Sequence, residues 1–409
     1  RIEGQVIAMS NQWTRREALR QAVALGLATA STRTGFAAPD LSGSAPSSPV
    51  AIQRCRSYEP KLLADKLATA LDLIGGIEQL VRGKTVTVKL NLTGGPRMKL
   101  GGLPAHRTYH VHPEFVACTC AALAKAGAKR IVLVESGYSR QPLEAVMAAG
   151  SWDIDRINAA GEGKVTWEDT RNQGSFRSYS RLTVPWGGYL YPAFDLNPRY
   201  EKTDVFVSLA KLKDHANAGV TMSVKNLFGI APTSIYGDNY DGAGRPTVDE
   251  QCIKARGDTF HKGQRLPPSG APQEIDPDSS RQWSHRVPRV TADLFGARPV
   301  DLCLVDGIET NRGGEGPWIQ GVTPIKPDLL MAGFNGVCTD AICTVAMGYD
   351  PMAGHEEFPF MGDNHLALLA QKGIGTNDPK EIEVRGLPLQ EAVHEFNPKR
   401  LKVGQPIFR

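Results

Sequence analysis

Three lysines and a histidine crowd one short segment of the chain. Lys211, Lys213 and His215 alternate along an extended stretch, and Lys225 follows within the same sequence, SLAKLKDHANAGVTMSVKNLFGI, at residues 208–230. The residues between them are mostly apolar, which is typical of a buried frame. Lysine ammonium groups act as point charges for phosphate or carboxylate. The segment therefore predicts the wall of a site for a small anionic ligand.

Side-chain alternation predicts which polar groups lie together. Alternate side chains of an extended strand share one face, so Lys211, Lys213 and His215 are expected to point the same way. The same rule pairs Lys89 with Asn91 in the earlier stretch VTVKLNL. Both groups are expected on one site.

Residue chemistry assigns each candidate a role. The candidate catalytic residues are His215, as general acid or base, with Lys213 and Asp306. Gly314 lies in a glycine run that permits close backbone approach to a ligand but lacks the Gly-Lys-Ser/Thr ending of a P-loop. The candidate substrate-binding residues are Lys89, Asn91, Glu135, Lys211, Lys225, Asn226 and Gly314.

A second group of residues has the chemistry of a divalent metal site. Helical spacing would pair His106 with His110, whereas extended spacing would pair His110 with His112. Pro113 favours an extended His112 and thus the second pairing. The candidate ligands of this nitrogen and oxygen site are His110, His112, Glu315 and Asp340. The alternatives are that His112 caps a helix starting at Pro113, that His110 lies in a solvated loop, and that Asp340 serves a helix dipole.

These residues need a scaffold that brings distant segments together. Strands are predicted near 85–92, 130–135, 204–209 and 300–305, and helices near 113–127, 220–228, 287–295 and 336–347. The alternation predicts an α/β fold with a largely parallel sheet flanked by helices. Glu135 and Asp306 close two of the strands, and open α/β sheets bind ligands beyond such carboxyl ends. We therefore expect the site at that edge.

Composition divides the rest of the chain. Residues 1–37 contain Arg15 and Arg16, an apolar run at 22–30 and small residues near 35–37, the layout of a twin-arginine export signal. Residues 38–60 predict a flexible lead-in. One α/β domain is expected over 61–409, with a long irregular insertion at about 232–285 that is a functional cover or an irregular subdomain. The sequence thus predicts a periplasmic or extracellular protein that uses the twin-arginine translocation machinery.

Charge and cysteine patterns argue against several functions. The net charge is +4, and residues 1–37 hold five arginines and two glutamates, so the remainder is near neutral and a nucleic-acid partner is not expected. The apolar run at 22–30 is too short for a permanent membrane span. Seven cysteines include no Cys-x-x-Cys pair, which makes an iron–sulfur cluster unexpected, while a disulfide stays open.

Several segments resemble a known family. VTVKLNLTGG, HVHPEF, GAKRIVLVESG, SLAKLKDHANAGVTMSVKNLFG, LVDGIETNRGGEGP, MAGFNGVCTDAI and KGIGTND are similar, in order, to motifs of the family called domain of unknown function 362. The resemblance implies functional roles for Lys225 and Asn226 and an inward-facing Asp340. Some members carry a ferredoxin-like iron–sulfur segment, and this chain departs from them because it has no cysteine cluster.

Two functions fit these features. One is an exported enzyme that acts on a small carboxylate or phosphate, with or without a divalent metal. The alternative is a non-catalytic extracytoplasmic protein that binds an anion or a metal. An electron-transfer role would follow only from the family members with iron–sulfur segments, and the cysteine spacing here does not support it.

Overall fold

An eight-stranded sheet forms the centre of the structure, a computed structural model that describes residues 45–174 and 177–397. Its strands are rich in β-branched and aliphatic residues, which suit a pleated surface buried on both faces. In spatial order they are β14 (Val384–Gly386), β1 (Val50–Arg54), β13 (Leu329–Gly333), β10 (Leu302–Gly307), β7 (Val205–Lys211), β2 (Thr85–Lys89), β3 (Arg130–Glu135) and β4 (Val165–Asp169).

The sheet is parallel except for one strand. β10, β7, β2, β3 and β4 pair in parallel along one half of the sheet, and β1 pairs in parallel with β14 at the other edge. β13 lies antiparallel to both of its neighbours, β1 and β10. Seven of the eight strands therefore run in one direction, and the expected α/β fold with a largely parallel sheet is confirmed.

Helices cover both faces of the sheet. Successive side chains of each strand point to opposite faces of the sheet, so they pack into two separate hydrophobic clusters, one on each face. One cluster includes α1 (Pro60–Leu73), α2 (Glu78–Val81), α3 (Pro113–Lys125), α4 (Leu143–Ala149) and α5 (Ile154–Ala160). The other includes α6 (Pro198–Lys202), α7 (Met222–Asn226), α8 (Thr233–Tyr236), α9 (Trp283–Ala297), α10 (Gly336–Ala346), α11 (His365–Ala370) and α12 (Leu389–Ala392). Within the described ranges, no helix has the length and apolar character needed to cross a bilayer.

The first helix of the β2–α3–β3 unit shows how local sequence sets these boundaries. Pro113 occupies the first turn, where its missing N–H would be unpaired in any case. His112 Nδ1 accepts a hydrogen bond from the backbone N–H of Glu114 at 3.2 Å, so the helix-cap alternative for this histidine is the observed one. Gly127 follows the helix with a φ of +88°, which favours glycine at that end.

Strand β1 corrects the expectation of a flexible lead-in at residues 38–60. Val50, Ala51 and Ile52 are buried between β13 and β14, with strand pairing on both sides. The prediction is wrong for this stretch because the distant strands that hold it cannot be read from its own composition. The export signal predicted at residues 1–37, and residues 38–44, lie outside the described residues.

Short ribbons and turns surround the sheet. The two-stranded ribbons are β5 (Ser180–Thr183) with β6 (Ala193–Leu196), β8 (Asp214–His215) with β9 (Gly219–Val220), and β11 (Thr310–Arg312) with β12 (Thr323–Ile325). Tight 3₁₀ turns lie at Ala105–Arg107, Leu227–Ile230 and Pro379–Glu381, and a π turn lies at Gly257–His261. The irregular segment 232–285 thus contains α8 and the π turn, and its Phe260 is buried in the core.

Candidate functional site

A small cavity lies beyond the carboxyl ends of β2, β3 and β7. Its volume is about 70 Å³. Lys89 ends β2 and Asn91 follows it, Glu135 ends β3, and Lys213 and His215 follow β7. Strand ends of this kind are where open α/β sheets bind ligands, so the cavity occupies the edge expected from the sequence.

Other segments complete the wall. α7 contributes Lys225 and Asn226, and the 3₁₀ turn that follows contributes Phe228. Arg256 comes from the irregular segment, and Glu315 comes from the loop between β11 and β12. Residues far apart in sequence therefore converge on one small space.

A buried ion pair forms one side of the cavity. Lys89 Nζ lies 2.7 Å from Glu135 Oε1 and also donates to the carbonyl of Leu90 at 2.7 Å. Gly229 packs against the pair, and a Cβ at this position would lie 2.8 Å from Lys89 Nζ and 3.0 Å from Glu135 Oε1. Only a glycine leaves the ion pair undisturbed. This explains the glycine that ends the Lys-Asn-Leu-Phe-Gly element, residues 225–229.

Asn226 ties the strand ends together. Its Nδ2 donates to Ser208 Oγ on β7 at 3.0 Å, and its Oδ1 accepts from Asn91 Nδ2 at 2.9 Å. The side chain is buried, so these bonds fix the relative positions of β7 and the segment after β2. Asn226 is a positioning residue for Lys89 and Asn91.

Two buried lysines face the cavity without a carboxylate partner among the described residues. Lys213 Nζ donates to the backbone carbonyls of Tyr109 at 2.7 Å and Glu315 at 3.3 Å. Lys225 Nζ lies 3.7 Å from the centroid of the Phe228 ring, in a cation–π contact. Burial lowers the pKa of Lys213 to about 7 and the pKa of Lys225 to about 7. The nearby Glu315 carboxylate opposes both shifts without lying at ion-pair distance, and neighbouring cations add to them.

Arg256 supplies a third cation. Its Nε donates to the carbonyl of Ala231 at 2.6 Å and its Nη1 to Tyr138 Oη at 3.2 Å. Arg256 Nη2 is buried without a partner among residues 45–174 and 177–397, as are Thr221 Oγ1 and Asn91 Oδ1 elsewhere on the same wall. Unpaired buried polar atoms are costly, so three of them around one cavity mark it as a candidate ligand site.

The carboxylates on the wall are already engaged. Glu135 pairs with Lys89, and Glu315 accepts from the N–H of Ala216 at 2.9 Å and from Trp318 Nε1 at 3.0 Å. The lining thus holds four lysine or arginine side chains against two carboxylates. When all four cations are protonated the excess is two positive charges, which favours an anionic ligand.

His215 contributes a neutral imidazole. Its Nδ1 accepts a hydrogen bond from the backbone N–H of Asn217 at 3.1 Å, which places the ring proton on Nε2. Burial lowers the pKa of His215 well below its usual value, and Lys225 and His261 lower it further. His215 is therefore a hydrogen-bond donor at neutral pH and not a cation.

Lys211 and Asp306 lie away from the cavity, contrary to the expectation that Lys211 shares a face with Lys213 and His215. Lys211 Nζ is 2.9 Å from Asp306 Oδ2, and Asp306 Oδ1 accepts from Tyr58 Oη at 2.7 Å. Along β7 the alternation places Lys211 on the side of Val207 and Leu209, opposite the side that Lys89 uses on β2. The shared-face argument fails because β7 ends at Lys211 and the regular alternation ends with it.

The predicted metal ligands are not grouped. His110 Nε2 lies 2.7 Å from the carbonyl of Thr93 and the residue is buried, so the solvated-loop alternative for it is also wrong. His112 stacks on the ring of Tyr58 with a centroid distance of 3.6 Å. Across residues 45–174 and 177–397, no three His, Cys, Asp or Glu side chains are arranged to hold a metal ion. The structure therefore does not bring His110, His112, Glu315 and Asp340 together as one ligand set.

Asp340 and Gly314 also have structural roles. Asp340 accepts from the backbone N–H groups of Ser223 and Val224 at 2.8 and 2.7 Å, and so holds the start of α7 from α10. Burial raises the pKa of Asp340 to about 8. Gly314 has a φ of +150°. Its backbone carbonyl accepts a hydrogen bond from Asn311 Nδ2, and the neighbouring Glu315 lines the cavity. Asp340 is thus buried and supports the start of α7.

Sequence reasoning missed part of the wall. Phe228 and Gly229 lie inside the recognised Lys-Asn-Leu-Phe-Gly element, so the element itself was a signal for them. Arg256 lies in the irregular segment that was expected either to cover a site or to form a subdomain. Thr221 lies within the segment 208–230 and Tyr138 directly follows the motif GAKRIVLVESG, but neither has the charge or the position in a strand that would have marked its side chain.

Comparison with known proteins gives a family, one curated protein similar over part of its length, and a weak structural likeness. The sequence profile described as Domain of unknown function (DUF362) matches residues 86–345. A thylakoid-associated protein of Synechocystis sp. is 31% identical over 196 residues, covering 45% of this chain and 50% of that protein, so the chain spans about half the length of this curated relative. The crystal structure of a Thermotoga maritima protein aligns with 12% identity and a TM-score of 0.35, covering 71% of this chain and 59% of that one, a likeness too low to argue from.

Proposed function

This chain belongs to the family described as domain of unknown function 362, and we propose that it is an enzyme acting on a small anionic substrate, a phosphate or a carboxylate. One observation carries the proposal. Lys213, Lys225 and Arg256 border the same cavity, and within the described ranges none of them has a carboxylate at ion-pair distance. Buried cations are normally paired, so the bound anion is the partner that these three lack.

The wall divides into groups that bind the anion and groups that position them. Lys225 and Arg256 hold the negative charge, and the unpaired Arg256 Nη2 and Thr221 Oγ1 donate hydrogen bonds to it. Lys89 is neutralised by its ion pair and shapes the wall. This assignment moves the binding role from Lys211 to Arg256.

Lys213 is the group best suited to move a proton. Burial lowers the pKa of Lys213 to about 7, so its neutral and charged forms are both populated near neutral pH. General acids and bases work best when their pKa lies close to the working pH, and lysines tuned in this way serve that role in enzymes. His215 also borders the cavity, and its neutral ring carries the proton on Nε2, where it can donate a hydrogen bond to a bound substrate.

The proposal is tested by asking whether the protein converts any compound in a mixture of small phosphates and carboxylates. The purified protein is incubated with small phosphates and carboxylates, and depletion and product formation are followed by mass spectrometry. We expect at least one compound to be converted, and Lys213→Met to lower the rate by about 10²–10⁴-fold, the usual contribution of acid–base catalysis. Lys129→Met, which removes an exposed charge before β3, is the control.

The non-catalytic alternative predicts a different result. A binding protein would retain an anion on the purified chain without converting any compound in the mixture, and Lys213→Met would weaken retention only. That result would contradict the catalytic part of the proposal. Neither conversion nor retention by the wild type would contradict both parts.

We also propose that the protein is exported through the twin-arginine machinery. The support is the sequence of residues 14–37, with Arg15 and Arg16 ahead of an apolar run. Cell fractionation of the full chain tests this, with Arg15→Lys and Arg16→Lys combined as the variant. We expect the wild type outside the cytoplasm and the variant retained inside. Equal distribution of the two would contradict export by this route.

A further inference from the structure

A larger groove opens beside the cationic cavity. Its volume is about 520 Å³, against about 70 Å³ for the cavity. The loop at 94–98 forms one side, α4 forms the other, and the segment that follows β3 forms the floor. Ligand pockets in proteins commonly measure about 300–1,000 Å³, so the groove alone has the size of a ligand site.

The groove and the cavity share a wall. Leu92, Glu135 and Tyr138 line both spaces. Tyr138 Oη accepts a hydrogen bond from Arg256 Nη1 at 3.2 Å, which ties this shared wall to the cation cluster. A molecule bound at the cations therefore has its nearest large free volume in the groove.

The chemistry of the groove differs from that of the cavity. Leu92, Leu143 and Met147 are buried apolar side chains on its wall, and Met98 is 43% exposed beside them. Arg97 and Gln141 also line the groove and are exposed, and Asp169 lines it with its carboxylate paired to Arg171. The surface available to a ligand is thus largely apolar, next to a cavity with excess positive charge.

We propose that the substrate is an amphipathic anion, with its phosphate or carboxylate group in the cavity and an apolar body in the groove. The inference rests on the proposed function, because it takes the cavity as the site of the acid group. The cavity of about 70 Å³ has room for the acid group, and the adjoining groove of about 520 Å³ has room for a larger body. The apolar body then accounts for the volume and the side chains of the groove.

The test compares two probes that share one acid group. Inorganic phosphate offers the acid group alone, and 1-naphthyl phosphate adds an aromatic body. Isothermal titration of the wild type should show 1-naphthyl phosphate binding at least about tenfold more tightly than inorganic phosphate. A benzoate and acetate pair repeats the comparison for the carboxylate class.

A matched pair of variants locates the effect. Ala145 is exposed and lines the groove, whereas Ala148 is exposed on the same helix and does not line it. Ala145→Trp fills the groove and should remove the advantage of 1-naphthyl phosphate while leaving inorganic phosphate affinity unchanged. Ala148→Trp should change neither affinity.

The outcomes separate this inference from the proposed function. Equal wild-type affinity for both phosphates, or an advantage that survives Ala145→Trp as fully as Ala148→Trp, overturns the groove assignment and leaves the anion site intact. Failure of the wild type to bind any of the four probes overturns the proposed function and this inference with it.

Discussion

At the scale of single residues, four buried lysines near the strand ends fall into two kinds. Lys89 and Lys211 each contact a carboxylate, at 2.7 and 2.9 Å. In the part of the chain that the structure describes, Lys213 and Lys225 contact carbonyls or an aromatic ring and no carboxylate, and burial lowers the pKa of each to about 7. A buried charge without a countercharge destabilises the folded state. Buried lysines without a countercharge, such as Lys213 and Lys225, are therefore expected at positions where function requires them.

Sulfate affinity should fall as the pH rises through about 7. Lys213 and Lys225 are charged below their lowered pKa of about 7 and neutral above it. A bound dianion favours the charged form, so each neutral lysine takes up a proton on binding, and the logarithm of the association constant drops by up to about 2 per pH unit. Isothermal titration in buffers of different ionisation enthalpy measures this uptake.

Sulfate suits this experiment because it stays dianionic across the range. If sulfate bound at pH 8 without proton uptake, ligand binding would not protonate Lys213 and Lys225, and the prediction would be contradicted. The same titration at pH 6 should show little uptake, because both lysines already carry their protons there.

The pair of Lys211 and Asp306 should affect stability and not anion binding. Asp306→Asn leaves the Lys211 ammonium buried without its countercharge, which should cost about 3–5 kcal/mol of unfolding free energy. Urea denaturation measures the loss. Adding Lys211→Met to Asp306→Asn should recover most of it, since the amide can still accept from Tyr58 and the buried charge is gone.

A change in sulfate affinity larger than about threefold in this double variant would place Lys211 or Asp306 in the binding site after all. Such a result would restore the role that strand alternation predicted for Lys211.

At the scale of elements, one short turn organises the site. α7 and the 3₁₀ turn Leu227–Ile230 together place Lys225 over the Phe228 ring and Asn226 across two strand ends. Gly229 then brings the backbone against the Lys89 ion pair. The turn therefore couples a local sequence element to strands that lie far away in the chain.

Gly229→Ala should weaken both the fold and the site. The added Cβ would lie 2.8 Å from Lys89 Nζ, so the ion pair or the turn must move, and overpacking of this kind costs about 1–3 kcal/mol. Gly242→Ala is the control, because its Cβ would meet no atom within 4 Å. Urea denaturation and sulfate titration of the two variants should separate them. Equal behaviour would contradict the packing role of Gly229.

The elements with strong local patterns were predictable from the sequence. β2, β3, β7 and β10 lie close to the predicted strands, and α3, α9 and α10 lie close to the predicted helices. β1, β13 and β14 were not predicted, because each is three to five residues long and is held by partners distant in sequence. Short strands of this kind depend on pairing and not on their own periodicity.

At the scale of the whole molecule, the location of the cavity at one sheet edge was predictable from the sequence. The residues that line it were only partly predictable. The rule that ligands bind beyond parallel strand ends placed Lys89, Glu135 and Lys213 together correctly. It could not separate Lys213 from Lys211, because that depends on where β7 stops. It could not supply Arg256 either, since an irregular segment carries this residue to the cavity. Tertiary packing decided both.

The fold holds Lys213, Lys225 and Arg256 close together, and their mutual repulsion lowers the free energy of unfolding. An enzyme site commonly lowers stability in this way, so removing a functional charge should stabilise the protein. A structural lysine would behave in the opposite manner, since its loss removes contacts. Stability and affinity measured on one variant therefore distinguish the two roles.

The most direct test is Lys225→Met, studied by thermal unfolding and by sulfate titration at pH 6.5, with Lys129→Met as the exposed control. We expect Lys225→Met to raise the melting temperature without sulfate and to weaken sulfate binding at least tenfold, or about 1.4 kcal/mol. Lys129→Met should leave both unchanged. A lower melting temperature with unchanged sulfate affinity would contradict the assignment of this cavity as an anion site.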